Sequence, residues 1–318
     1  MRTWASGARL AAAAAMAVAA AGCGLGPGDE SQGEATLTVT RDYGNEVLVE
    51  ASEEDPPGSE TVIRFLDREA EITTRYGGGF VQSIEGVSGE IRDGRNFDWF
   101  FYVNGIESPI GSADAEVHGG DRIWWDHRDW TDAMRAPAVV GSWPEPFLQA
   151  SAGDDRLPVR VECEAAAGTC EEAADRLADE GVDASVSEPA PEADESAPRL
   201  LVGPWDALRD DAAAGQLDDG PATSGVFARF ERTGGDAFEL VLLDDLAQTA
   251  RELGPGSGLV AALRDGESPP TWIATGIDER GVEAAVGLLD SDDLANRYAV
   301  ATDPGDASMA LPGLSEDG

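Results

Sequence analysis

Phe97-Asp98-Trp99-Phe100-Phe101-Tyr102-Val103-Asn104-Gly105, followed after a loop by Gly120-Asp121-Arg122-Ile123-Trp124-Trp125-Asp126-His127-Arg128-Asp129-Trp130, is the stretch that decides the fold. Half of the chain's 8 tryptophans lie here. Both runs are dense in aromatic and β-branched residues and are bounded by turn signals, Asn104-Gly105 and Gly119-Gly120-Asp121, so both are expected to be strands. In a strand Trp99, Phe101 and Val103 point one way and Phe100 and Tyr102 the other. Ile123, Trp125 and His127 likewise oppose Trp124, Asp126 and Arg128. Bulky groups therefore occupy both faces of one sheet. One face is core, and the other requires a helix, a ligand or a partner.

Working outward, Thr36–Thr40 and Glu46–Ala51 alternate as two strands joined by Tyr43-Gly44-Asn45. Ser59 is placed to cap a helix running to about Ala70, with Val62, Phe65, Leu66 and Glu69 at helical spacing. Phe80–Val87 reads as a further strand after Gly77-Gly78-Gly79. Two strands, a helix and three strands predict a β-grasp-like domain over 36–135, with its helix across one sheet face. The segment 136–156, holding Trp143-Pro144-Glu145-Pro146, reads as a connector. Beyond it Leu157–Cys163, Val182–Val186, Arg199–Gly203, Val226–Phe230, Phe238–Leu243, Leu259–Leu263, Thr271–Thr275 and Tyr298–Ala301 are expected strands. Cys170–Glu180 and Glu279–Leu289 are expected helices, the first stopped by Gly181. The alternation predicts an α/β layered domain over 157–302, so the fold class is α+β. The tail 303–318, rich in Gly, Asp, Ser and Pro, is expected to be disordered.

The motifs Tyr76-Gly-Gly-Gly-Phe80-Val81, Trp99-Phe-Phe-Tyr-Val-Asn-Gly105 and Gly120-Asp-Arg-Ile-Trp-Trp125 together resemble the transcobalamin-like C-terminal domain. More narrowly they are similar to its bacterial lipoprotein relatives, and Pro137–Phe147 resembles a recurring piece of actinobacterial lipoproteins. The resemblance covers roughly Leu37 to Trp130. It implies a β-domain and a ligand-covering role. In the vitamin carriers the equivalent domain closes over a corrinoid held by a large helical domain, and no such helical domain is legible here.

The N-terminus reads as a targeting segment. Arg2 and Arg9 precede an apolar run, Leu10–Ala21, too short to span a bilayer comfortably. Ala20-Ala21-Gly22-Cys23 looks like a bacterial lipobox, so residues 1–22 are expected to be removed and Cys23 lipidated, with 23–35 as a tether. This places the protein on the extracytoplasmic face of the cell membrane. Cys163 and Cys170 then remain as an even pair in an oxidising compartment, expected to form a disulfide contributing roughly 2–3 kcal/mol on the chain-entropy model.

A formal net charge of −40 excludes a phosphate-backbone footprint, so no nucleic acid is expected. All 22 cationic residues are arginine, which excludes Schiff-base and P-loop lysines. The 2 histidines, His118 and His127, form no paired zinc motif, and the acidic runs lack the ligand-and-glycine periodicity of a calcium loop. No serine has a legible base and acid partner. The chain is therefore read as non-enzymatic, without cofactor or metal. Its expected role is capture of a small molecule, corrinoid-like ligands among the candidates, or service to a transporter; the alternative is an envelope interaction or scaffold module. Trp99, Tyr102, Asn104, Trp124, Trp125, His127 and Trp130 are the candidate ligand- or partner-binding residues, since aromatic faces rimmed by charge suit stacking on a flat ligand or a protein hot spot.

Overall fold

The computed structural model describes residues 31–151, 159–189, 197–235, 237–305 and 307–315. The expected leader, 1–22, and Cys23 lie outside the described residues. The fold is mixed α+β, strand-rich, with several sheets and few helices. No helix among the described residues is long and apolar enough to cross a membrane.

The N-terminal unit runs β1 (Glu34–Arg41), β2 (Glu46–Glu54), α1 (Val62–Glu69), β3 (Ile72–Arg75), β4 (Phe80–Ile84), β5 (Val87–Ser88), β6 (Glu90–Arg92), β7 (Arg95–Val103), β8 (Ile106–Glu107) and β9 (Arg122–Asp129). Its main sheet has the order β2-β1-β9-β7-β6, with β8 on β7. The first and last strands lie side by side in parallel, Val39 opposite Trp125. Strand β9 is antiparallel to β7, pairing Phe101 with Trp125 and Tyr102 with Trp124. The alternation read from the sequence therefore holds strand by strand. Ala35, Leu37, Val39, Trp99, Ile123 and Trp125 turn to one face and bury Val62, Phe65 and Leu66 of α1. On the outer edge strand, Glu46, Glu50, Glu53 and Glu54 guard backbone groups that would otherwise pair with another chain.

Two local expectations are corrected here. Ser59 does not cap α1: Thr61 takes that position without a side-chain bond. The free amides of the first turn find tertiary acceptors instead, Val62 N–H donating to Ala115 O at 2.9 Å and Ile63 N–H to Ser112 O at 2.9 Å. The run Phe80–Val87 is not one strand, because Glu85 and Gly86 adopt positive φ and reverse the chain into β5.

A short helix α2 (Phe147–Ser151) leads to the second unit: β10 (Val159–Cys163), α3 (Ala167–Asp179), β11 (Ala184–Ser187), β12 (Arg199–Pro204), α4 (Trp205–Leu208), α5 (Pro221–Ser224), β13 (Ala228–Gly234), β14 (Ala237–Leu243), β15 (Thr249–Leu253), β16 (Gly258–Leu263), β17 (Thr271–Gly276), α6 (Glu279–Gly287), α7 (Ser291–Leu294), β18 (Ala299–Thr302) and β19 (Met309–Leu311). Seven strands form a sheet of order β11-β10-β12-β17-β16-β18-β19. Neighbours from β11 to β17 run parallel and the remainder antiparallel. Helices α3 and α6 cover one face; the three-stranded sheet β13-β14-β15 and short helices cover the other. Cover on both faces is why β16 and β17 are buried along their whole length and read as continuous rather than alternating strands. Cys163 and Cys170 are bonded, with an S–S distance of 2.07 Å, at the junction of β10 and α3.

Three further expectations change. Helix α3 begins at Ala167, not Cys170, and the preceding Ala166 N–H donates to the Glu279 carboxylate of α6. The tail is not wholly disordered, since Met309–Leu311 pairs with Ala299–Ala301 and Leu311 is buried. The supposed connector is core: Ala138, Val140, Trp143 and Phe147 are buried with the α3 and α6 face, where Trp143 lies 5.5 Å from the Trp272 ring.

Candidate functional site

The second aromatic face of the N-terminal sheet is closed by the second unit. Tyr43, Tyr102 and Trp124 form one buried cluster with Phe227, Val241, Leu243 and Tyr298. The rings of Trp124 and Tyr298 lie 5.3 Å apart at 68°. A polar network threads this seam. Tyr298 donates to Asp126 Oδ2 at 2.9 Å, while Asp126 Oδ1 accepts from Thr40 Oγ1 at 2.7 Å and Gly44 N at 3.1 Å. Trp124 Nε1 donates to Thr40 Oγ1 at 2.7 Å. Burial pushes the Asp126 carboxyl above its ordinary range, against the pull of its donors and of Arg128. Arg128 is fully buried, donates to Ala133 O at 2.6 Å and Met134 O at 3.2 Å, and stacks 3.9 Å over the Phe100 ring. Gly141 allows the close approach, because a Cβ there would meet Arg297 N and the Trp124 ring at 2.8 Å.

The seven candidate binding residues separate into different environments. Trp99 and Trp125 lie in the α1 core, where Trp125 stacks on Phe101 at 4.8 Å and Trp99 Nε1 donates to Val87 O at 3.0 Å. Tyr102 and Trp124 lie in the seam. His127 is buried, its Nε2 3.1 Å from Ser88 O, and desolvation lowers its pKa. Asn104, at positive φ beside Gly105, is a turn keystone: its Nδ2 donates to Asp121 Oδ1 at 2.8 Å and its Oδ1 accepts from Arg122 N at 2.9 Å. It also borders a cleft of about 320 Å³ with Pro146 and Gln149. Of the seven, Trp130 lines the larger open groove.

That groove, about 570 Å³, is lined by residues of the β3–β4 and β6–β7 hairpins and by Trp130. Tyr76 is 88% exposed, Phe80 43% and Ile91 76%. The Tyr76 and Phe80 rings meet edge to face at 6.3 Å across the triple glycine. Tyr76 has φ +53, a left-handed conformation that a bulky residue rarely adopts, and the loop spends it on holding a ring in solvent. Asn96, Phe97 and Asp98 also line the groove. Phe97 also borders a second cleft of about 430 Å³, walled by Arg92, Arg95 and Asp129 and, from the second unit, by Asp245, Leu246 and Leu314. The signal for this site in the sequence is two aromatics, Tyr76 and Phe80, flanking three glycines.

Histidine and carboxylate chemistry does not converge. His118 lies 3.5 Å from Asp121 and 3.8 Å from Glu116 at an exposed position. Among the described residues no group of three or more His, Cys, Asp or Glu is placed to hold a metal ion. Burial raises the Glu145 carboxyl from 4.5 to about 7, with Asp121 adding to the shift and the Gln149 amide and Arg122 opposing it. The folded state thus binds a proton that the unfolded state has released, and stability falls as pH rises from about 4.5 to about 7. At 1.36 kcal/mol per unit this is of order 3 kcal/mol. Denaturant melts of Glu145→Gln at pH 5 and pH 8 are expected to show the variant losing clearly less stability than the parent over that interval. Equal losses would place the titrating group elsewhere.

Residues 59–128 match the family model for a domain of unknown function, DUF4430, a family related to transcobalamin-like domains. No curated protein matches the chain. Among solved structures, a protein from Ruminococcus gnavus described as a candidate metal-binding protein is similar at 15% identity and a TM-score of 0.24, covering 31% of this chain and 98% of its own. The N-terminal unit is thus similar, over residues 59–128, to the DUF4430 domain.

Proposed function

We propose that this chain is a lipid-anchored, extracytoplasmic, non-catalytic binding protein whose recognition surface is the groove between Tyr76, Phe80, Ile91 and Trp130. The exposed left-handed Tyr76 carries this reading, because a ring held in water against both its hydrophobicity and its backbone preference favours a partner that covers it. The parallel β1–β9 pair with α1 across one face supports a β-grasp-like architecture for the N-terminal unit. Lipid attachment rests on Gly22-Cys23 and the leader before it. A groove of this size admits a flat molecule, corrinoid-like or otherwise, or a protruding side chain of a transporter component. One observation favours the scaffold alternative: the Trp124 face is already occupied by the second unit.

Calorimetric titration of residues 24–318 with corrinoids, haem and flat aromatic cofactors tests the groove. Micromolar binding weakened about ten-fold by Trp130→Ala, equivalent to roughly 1.4 kcal/mol, supports it. Absence of heat with every ligand, or binding indifferent to Trp130 and Tyr76, sinks it and turns attention to envelope protein partners.

A further inference from the structure

The walls of the open groove narrow the chemistry of what enters it, on the reading that this groove is the recognition surface. Tyr76, Phe97 and Trp130 contribute rings. The groove itself sets Glu90 and Asp98 against Arg75, and the adjoining cleft, which shares Phe97, sets Asp42, Asp93, Asp129 and Asp245 against Arg92 and Arg95. The guanidiniums are engaged within the chain. Arg95 is held by Asp129 and, at 2.7 Å, by Asp132; Arg75 donates to Gln82 Oε1 at 2.7 Å. Arg92 lies 4.3 Å over the centre of the Phe97 ring. The chain's own cation therefore sits in cation–π geometry on Phe97 from the adjoining cleft, an example of the group such a ring accepts.

A ring face beside a carboxylate attracts an organic cation twice, through the ring quadrupole and through opposite charge. An inorganic dication would need converging oxygens, and no such cluster exists among the described residues. The net charge of −40 adds a long-range field that draws cations and repels anions. We propose that the groove binds an organic cation, an ammonium or guanidinium group on an apolar body. The charge lodges between the Trp130 ring and the Asp98 carboxylate, and the apolar body lies against Tyr76, Phe80 and Ile91. The shared chemistry fits both a free small molecule and a lysine or arginine side chain of a polypeptide.

The test titrates the full-length chain with benzyltrimethylammonium and with its neutral tert-butyl analogue. The cation is expected to bind at least ten-fold more tightly. Trp130→Ala is expected to weaken it about five- to ten-fold, and Asp98→Asn to weaken it several-fold while flattening its salt dependence. Should Trp130→Ala fail to fold by circular dichroism, Tyr76→Ala, at an exposed position, replaces it. Equal binding of cation and analogue, both sensitive to Trp130, overturns the cation claim and leaves the groove as a neutral-ring site. Cation binding indifferent to Trp130 and Tyr76 also overturns it, as diffuse attraction to an acidic surface. A second arm compares an arginine–leucine peptide with a glutamate–leucine peptide. Tighter binding of the basic peptide than of the free cation assigns the source to a polypeptide, and the reverse assigns it to a small molecule.

Discussion

Arg128→Ala is expected to destabilise the protein by about 3–5 kcal/mol and to lower its melting temperature by roughly 10 °C. The side chain is completely buried in the seam, where its fork satisfies two backbone carbonyls and its plane covers the Phe100 ring. Truncation removes these bonds, leaves the Ala133 and Met134 carbonyls short of donors, and opens a cavity beneath an aromatic sheet. It also takes away a cation that favours the charged form of Asp126, whose carboxylate is already disfavoured by burial. Glu107 is cushioned, since Arg135 and the Ala136 amide still donate to it. Lysine is expected to recover less than half the loss, because a point charge with a flexible stem cannot reproduce the planar fork or its stacking. Chemical denaturation measures both variants. A loss below about 1 kcal/mol for Arg128→Ala would mean that the seam is open to water.

Trp143→Ala is the second large effect, about 3–5 kcal/mol. The ring is buried, packs at 5.5 Å on Trp272 and 6.0 Å on Phe147, and donates from Nε1 to Glu180 Oε1 at 3.3 Å. Its carbonyl accepts from Arg122 of β9, so this residue belongs to the core of the second unit and is also tied to the sheet of the first. A residue on a solvated connector would cost no more than about 0.5 kcal/mol. The melt is expected to shift as one transition for both units, read by fluorescence and by circular dichroism. Two separated transitions would show that residues 136–151 do not couple them.

Much of the N-terminal sheet was legible in the sequence because its evidence is local. Asn104-Gly105 ends one aromatic strand, and period-two alternation assigns Trp99 and Phe101 to one face and Tyr102 to the other; the structure pairs them as that pattern requires. What covers the second face was not legible. Tyr298 lies 172 residues from Asp126 along the chain, and nothing near Trp124 encodes its arrival. The same physics explains the smaller misses. Thr61 needs no capping side chain because Ala115 and Ser112 supply tertiary carbonyls. Met309–Leu311 sits in a tail of disordered composition, yet three residues suffice once β18 offers an open edge. Strand β15 is exposed at four of its five positions and carries almost no hydrophobic signal. The candidate site failed for a related reason. Large aromatics in strands are usually core, and six of the seven predicted residues are buried; the accessible rings sit instead on a glycine loop and at a strand end.

The central claim is that the Trp124 face is an internal seam and the Tyr76 groove the open surface. Hydroxyl-radical footprinting of the intact chain, read residue by residue, tests it most directly. Tyr76, Phe80 and Trp130 are expected to be labelled rapidly, while Tyr102, Trp124 and Tyr298 stay protected until the protein unfolds. Labelling of Trp124 and Tyr298 at the rate of Tyr76 under native conditions would contradict the claim and return the aromatic sheet face to solvent.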